Sequence, residues 1–374
     1  MTDLERILPL WRELEAAGAD YVLATIVSVE GSSYRKPGAR MLLSQDGRRA
    51  GTVSGGCLEA EVAQRAWWLT ESGPVVERYS TVEDDGDKPY GSGCGGVVYL
   101  LLERRETAGP HLKELEKAFQ ARVPMAIATV VQGPHTGRRA FSSELRETAA
   151  NDAAGLQPLA DEALENRSSA DKWIAIDGTV TRVWVDYRAA RPGLWIFSAG
   201  DDARPLVRLA RELGWFVAVA DGRLHLATRE RFPEADDVRV LPIARLPEEA
   251  PANLRLLPTD AAVVMTHSFD QDSRVLASLL ALPFRLPYLG VLGPQRRTRE
   301  LLAEAALLLN LPAAAERVDL WLAQLHAPTG LDLGADAPAS VALSILAEIQ
   351  QTLGEATGQP LRQVRAIPQI VAQR

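Results

Sequence analysis

Apolar residues along this chain fall into short runs whose rhythm changes near Pro192. Upstream, "YVLATIVSVE" (21–30) has the β-branched content of a buried strand and runs into a Gly-Ser-Ser loop. "MLLSQDGRRAGTVS" then reads as two strands turning at Asp46-Gly47. Beyond Cys57, Leu58, Val62, Ala66 and Leu69 recur at helical spacing until Gly73. "GGVVYLLLE" predicts a buried strand, "HLKELEKAFQARV" a helix and "MAIATVV" another strand. Residues 141–170 have no sustained apolar period and read as a mobile insertion. "KWIAIDGTVTRVWVDY" resumes as a hairpin turning at Asp177-Gly178.

After Pro192, "LWIFSAG", "WFVAVAD", "AAVVMTH" and "YLGVLG" are continuous apolar runs separated by helix-like segments. Strands buried on both faces by helices produce that pattern, so the expected fold is α/β: a mixed α/β N-terminal domain (1–190) and a C-terminal doubly wound, Rossmann-like parallel sheet (191–352), with 353–374 as a tail. A chain of 374 residues is long enough for two cores.

Composition adds three constraints. The 47% hydrophobic content without a bilayer-length apolar run predicts a globular protein and no membrane partner. The amphipathic start lacks the form of a secretory signal, which leads to the expectation of a cytoplasmic protein. A formal charge of −8 argues against a nucleic-acid partner. The two cysteines form no disulfide framework and have no zinc-ligand spacing, so each is a thiol to be explained on its own.

The first domain concentrates the candidate chemistry. "GSSYRKPGAR" gathers Arg35, Lys36 and Arg40 around Pro37 and Gly38, a set of donors suited to phosphate or oxo groups, or else ordinary exposed charge. Cys57, at the expected start of a helix, gains thiolate character from the helix N-terminus; Cys94 in "GSGCGG" is accessible between glycines. A buried, inert cysteine is the alternative for either. In the second domain "SAGDDA" occupies the place of a dinucleotide-binding turn, and Asp221 closes the next strand where a ribose-binding carboxylate belongs. Asp201 and Asp202 stand where a phosphate would sit, so an acidic helix cap is the competing reading. His267, at a strand end beside Asp270, reads as a ligand contact or general base, or as part of a cap built by Ser268 and Asp270.

These stretches, in this order, resemble the XdhC/CoxI family of accessory factors for xanthine dehydrogenase and related molybdenum hydroxylases. The matching segments are "GSSYRKPGARMLLSQDGRRAGTVSGGCLE", "GCGG", "AGDDARPLVRLARELGWFVAVADGR", "VVMTHSFDQD", "YLGVLGPQRRT" and "APTGLDLGADAPASVALSILAEI". The chain departs from the family pattern at Ala339-Ser340, where an acidic pair is usual, and at Gly293-Pro294. The apolar strand and helix faces lead to the expectation of a homodimer, and the resemblance implies a carrier more than an enzyme. Such a carrier binds molybdenum cofactor, supports its sulfuration with a cysteine desulfurase and delivers it to an apo molybdenum hydroxylase. It implies a cofactor-binding face of Gly31, Ser32, Arg35, Lys36, Gly38, Arg40, Gly55, Gly56, Cys57, Glu59, Cys94 and Gly95. For the second domain it implies ligand positions at Gly200, Asp221, Arg223, His267, Asp270, Gly290, Gly293 and Asp332. The rival readings are an NAD(P)-dependent oxidoreductase using the second domain, and a scaffold that only docks a client.

Overall fold

The computed structural model describes residues 2–56, 58–80, 96–143, 155–248 and 254–364. The chain divides into two compact units, Met1–Arg191 and Pro192–Arg374.

In the first unit, β1 (Tyr21–Glu30), β2 (Arg40–Ser44), β3 (Arg49–Gly51), β4 (Val75–Ser80) and β5 (Val97–Arg104) form an antiparallel sheet in the order β3-β2-β1-β5-β4. Alternate residues of β1 serve opposite faces. Tyr21 and Leu23 pack with Ile7, Leu8 and Trp11 of α1 (Asp3–Ala16) and Leu112 and Leu115 of α3 (Arg105–Ala121). Val22, Ala24 and Ile26 pack with Val62 and Ala66 of α2 (Glu59–Leu69). Both faces are covered, which explains an apolar run without alternation.

A second antiparallel sheet holds β6 (Met125–Gln132), β7 (Arg139–Ser143), β8 (Ala170–Ile176) and β9 (Thr179–Arg188) in the order β7-β6-β9-β8. Asp177 and Gly178 turn its β8–β9 hairpin with φ of 50° and 77°, the conformation such a two-residue turn requires. The stretch expected to be a mobile insertion contains α4 (Gln157–Asn166), whose Ala160 and Ala163 pack with Leu156 against Ala126, Val130 and Val185. Small alanines make a narrow apolar stripe, which is why the periodicity failed to show this helix.

The second unit is built on β10 (Gly193–Phe197), β11 (Phe216–Asp221), β12 (Asp237–Val240), β13 (Ala261–Val264) and β14 (Tyr288–Val291), all parallel in the order β12-β11-β10-β13-β14. A parallel bridge from Gly290 to His326 extends the edge beyond β14. Helices α5 (Ala203–Glu212) and α9 (Pro338–Leu353) cover one face; α6 (Phe269–Leu280) and α7 (Gln295–Leu308) cover the other. Two further α-helices, α8 (Ala315–Leu322) and α10 (Leu361–Val364), and a 3-10 turn at Ile243–Arg245 are also described, α10 within the segment expected to be a tail. The strand order reverses between β10 and β13, the crevice at which doubly wound sheets take ligands.

Candidate functional site

In the first unit, the 31–38 loop, the 52–56 loop and Gly96 meet at the end of the sheet where β1 finishes and β5 begins. Gly96 lies so close to the β1 exit that a Cβ there would stand 2.1 Å from the Ser32 carbonyl oxygen and 2.9 Å from that of Glu30. A Cβ on Gly55 would lie 4.0 Å from Cδ1 of Tyr34, which ties the 52–56 loop to the 31–38 loop. Gly31, Ser32, Tyr34, Lys36, Gly55 and Gly56 are exposed here. Arg35 is half-buried, with its Nη2 on the Asp3 carboxylate of α1. Cys57, Cys94 and Gly95 lie outside the described residues. Helix α2 begins at Glu59 with Leu58 at its N-cap, so its first turn starts beyond Cys57 in sequence.

Glu59 does something the residue type alone did not reveal. Its Oε1 accepts from the backbone N–H groups of Val53 (3.2 Å) and Ser54 (2.8 Å) and from the Thr52 hydroxyl, while its Oε2 accepts from the Ser54 hydroxyl. Ser54 Oγ in turn accepts from the N–H groups of Gly56 (3.0 Å) and Leu58 (3.1 Å). Burial alone would raise this carboxyl, but the bonds from Ser54 and Thr52 outweigh it and hold Glu59 below the ordinary carboxylate value. Glu59 therefore shapes the loop from within, and its carboxylate is spent on that loop's own donors.

Arg40 requires a correction. It belongs to β2 and is 2% exposed, not a loop charge. Its Nη2 donates to Asp186 Oδ2 of β9 at 2.8 Å and its Nη1 to the Gly38 carbonyl at 2.7 Å, so both terminal nitrogens are engaged by protein, while its Nε is buried without a hydrogen-bond partner. Arg188 Nη1 also donates to the Gly38 carbonyl, at 3.2 Å, and a Cβ on Gly38 would crowd Asp186 Oδ1 at 3.1 Å. Burial, followed by the charge of Arg188, lowers Arg40 to about 10, still protonated at neutral pH. Buried His111 is pushed well below its usual value by desolvation and then by Arg139 and Arg40, and stays neutral. A single carboxylate inside the apolar pattern of β9 was the available signal, because a buried charge demands a partner.

In the second unit's crevice the polar groups expected to meet a ligand largely pair with one another. Asp202 folds over the turn between β10 and α5: a Cβ on Gly200 would be 2.6 Å from its Oδ1. Its Oδ2 lies 2.6 Å from Nε2 of His267, which adopts a left-handed φ of 66° after β13. Asp221 is fully buried and accepts from the Ala199 N–H (2.7 Å), the Arg223 N–H (2.9 Å) and both Nε (2.9 Å) and Nη2 (2.6 Å) of Arg223. Burial would raise it, yet the Arg223 and Ala199 bonds prevail and lower it. The carboxylate expected to greet a ribose instead ties two loops together. Ser268 caps α6 by accepting from the Gln271 N–H at 3.4 Å, as the capping reading has it. Asp270 is exposed and pairs with Arg274, and Asp332 is exposed as well. Gly290 is a packing glycine, since a Cβ there would lie 2.5 Å from Thr329 Oγ1. Gly293 turns at φ 116° beside Arg297, whose Nη2 donates to fully buried Asp272 at 2.6 Å, a pair that motif spacing missed.

Comparison with known proteins follows the same division. The XdhC Rossmann domain matches residues 194–349, and the XdhC and CoxI family matches residues 14–80. A Bacillus subtilis (strain 168) protein, named as a probable xanthine dehydrogenase subunit, is 31% identical over 334 residues, 88% of this chain and 92% of that protein. The molybdenum cofactor insertion chaperone PaoD of Escherichia coli (strain K12) is 35% identical over 130 residues, 32% of this chain and 38% of that protein. A crystal structure described as a xanthine dehydrogenase from Bacillus halodurans has a TM-score of 0.69 and 29% identity, covering 95% of this chain and 96% of that one. Two domain matches in order, backed by a relative similar along nearly its whole length, place this chain in the XdhC and CoxI family.

Proposed function

We propose that the chain is an accessory factor for a xanthine dehydrogenase-type molybdenum hydroxylase, with molybdenum cofactor as its cargo. In this reading the first unit's loop face receives the anionic pterin, with Arg35 and Lys36 supplying charge and exposed Gly31 and Gly55 letting it approach the backbone closely. Cys57, adjoining that loop, offers a soft thiolate to molybdenum or to a sulfur in transfer. A cysteine desulfurase supplies the sulfur and an apo-hydroxylase takes the finished cofactor; the carrier works as a cytoplasmic homodimer. The observation that carries the proposal is the convergence of the basic loop, the Glu59-organised loop and Gly96 at one sheet end. Kinship with a molybdenum cofactor insertion chaperone supports it.

The test is retention of cargo. Protein purified from a host that makes the cofactor is assayed for pterin and molybdenum, alongside Arg35→Ala, Lys36→Ala and Cys57→Ser. Losing a charge-assisted bond of about 1.5–3 kcal/mol should reduce affinity roughly tenfold or more. Retention equal to the parent in all three variants would overturn the assignment. The NAD(P) oxidoreductase reading is weakened by the carboxylate of Asp202 over the phosphate turn and by the engagement of Asp221 with Arg223.

A further inference from the structure

The second unit has a cavity that this cargo reading leaves unused. It lies between α5 and the start of α9, beside the turn after β10 and the end of β13, and has a volume of about 220 Å³. Leu206, Met265, Leu292 and Ile345 line it together with Asp202 and Asp336. Allowing roughly 30 Å³ per water, that is room for one fused ring and too little for a dinucleotide. The position is the switch-point crevice, so the fold places a ligand here on general grounds. Its chemistry then limits the ligand.

Ionised carboxylates only accept hydrogen bonds and repel phosphate, so the complementary group donates. His267 at 2.6 Å fixes Asp202 at the cavity, leaving lone pairs on the carboxylate for a further donor. The apolar walls call for a flat, weakly hydrated body, and the polarisable sulfur of Met265 suits an aromatic face or edge. We propose that this cavity binds an amino-substituted fused heterocycle, the chemistry shared by purine bases and pterins, with its N–H edge on Asp202 and Asp336 and no phosphate inside. A linear amine would satisfy the carboxylates and leave the walls unfilled. The inference does not depend on the loop face of the first unit: it can hold whether or not Arg35→Ala loses cargo.

Calorimetric titration of the full chain with guanosine, neopterin, GMP, NAD and agmatine tests it. Guanosine or neopterin should bind with a dissociation constant below about 100 μM, and GMP and NAD at least tenfold more weakly. The two heterocycle arms identify the source: guanosine alone indicates a purine base, neopterin alone a pterin. Asp336→Asn, at an exposed loop position, should weaken the heterocycle about tenfold without shifting the melting temperature, and Val341→Phe should block it by filling the cavity. Tighter binding of GMP or NAD, binding of agmatine alone, no binding of either heterocycle, or unchanged affinity in Asp336→Asn would each overturn the proposal.

Discussion

Replacing Glu59 by glutamine exchanges one acceptor oxygen for an amide that only donates. In the native loop Oε1 takes three donors and Oε2 takes the Ser54 hydroxyl, which itself accepts from the Gly56 and Leu58 N–H groups. An amide at the Oε2 position would offer Ser54 Oγ a third donor that it has no lone pair to receive. One charge-assisted bond is lost outright, about 1.5–3 kcal/mol, and the backbone bonds to Val53 and Ser54 weaken from ionic to neutral strength. We expect Glu59→Gln to lower unfolding free energy by about 2–3 kcal/mol at pH 7, measured by urea denaturation. The gap should depend on pH. The Glu59 carboxyl is held below its unfolded value of 4.5, so its contribution is complete above that value and fades as pH falls toward the lower folded value. Parent and variant should therefore converge in acid. A loss below about 0.5 kcal/mol at pH 7, within the range of ordinary surface substitutions, or a gap that is constant from pH 7 to pH 3, would refute the view that this carboxylate organises the loop.

Asp186→Asn leaves Arg40 charged and buried, and should cost about 3–5 kcal/mol in thermal or urea unfolding, whereas an apolar replacement of both partners should cost less. Gly96→Ala would place its Cβ 2.1 Å from the Ser32 carbonyl oxygen, so the strand start must shift; we expect a lowered melting temperature together with reduced cargo retention. NAD and NADP should show no low-micromolar binding by calorimetry, and such binding would revive the oxidoreductase reading. Iodoacetamide should label Cys57 at neutral pH and do so more slowly with cofactor present, and mass spectrometry of single-cysteine variants compares it with Cys94. Tyr288→Phe removes a 2.6 Å bond to Glu348, whose other oxygen meets His326 Nδ1 at 2.9 Å, and should destabilise the second unit by about 1.5–3 kcal/mol in urea.

Local pattern was enough for much of this protein. Continuous apolar runs in the second half already specified a parallel sheet with helices on both faces, because strands with two buried faces leave no room for alternation. Asp177-Gly178 and Asp46-Gly47 announced their turns, and the glycine-rich and basic stretches marked the loops that the fold brings together at one sheet end. Partner choice was not legible. Arg40 reads as a loop charge beside Lys36, yet it enters β2 and meets Asp186, which lies far along the chain on another sheet. Asp221 sits where a ribose acid belongs, but the direction of its carboxylate toward Ala199 and Arg223 depends on how two loops close over it. Glu59 reads as one more ligand residue, and the structure makes it the acceptor around which the 52–58 loop is folded. Sequence periodicity encodes which face of an element is buried, since burial repeats with the backbone. Which charge meets which is decided by tertiary packing, since a desolvated ion must take its partner from whatever segment the fold places within hydrogen-bond reach.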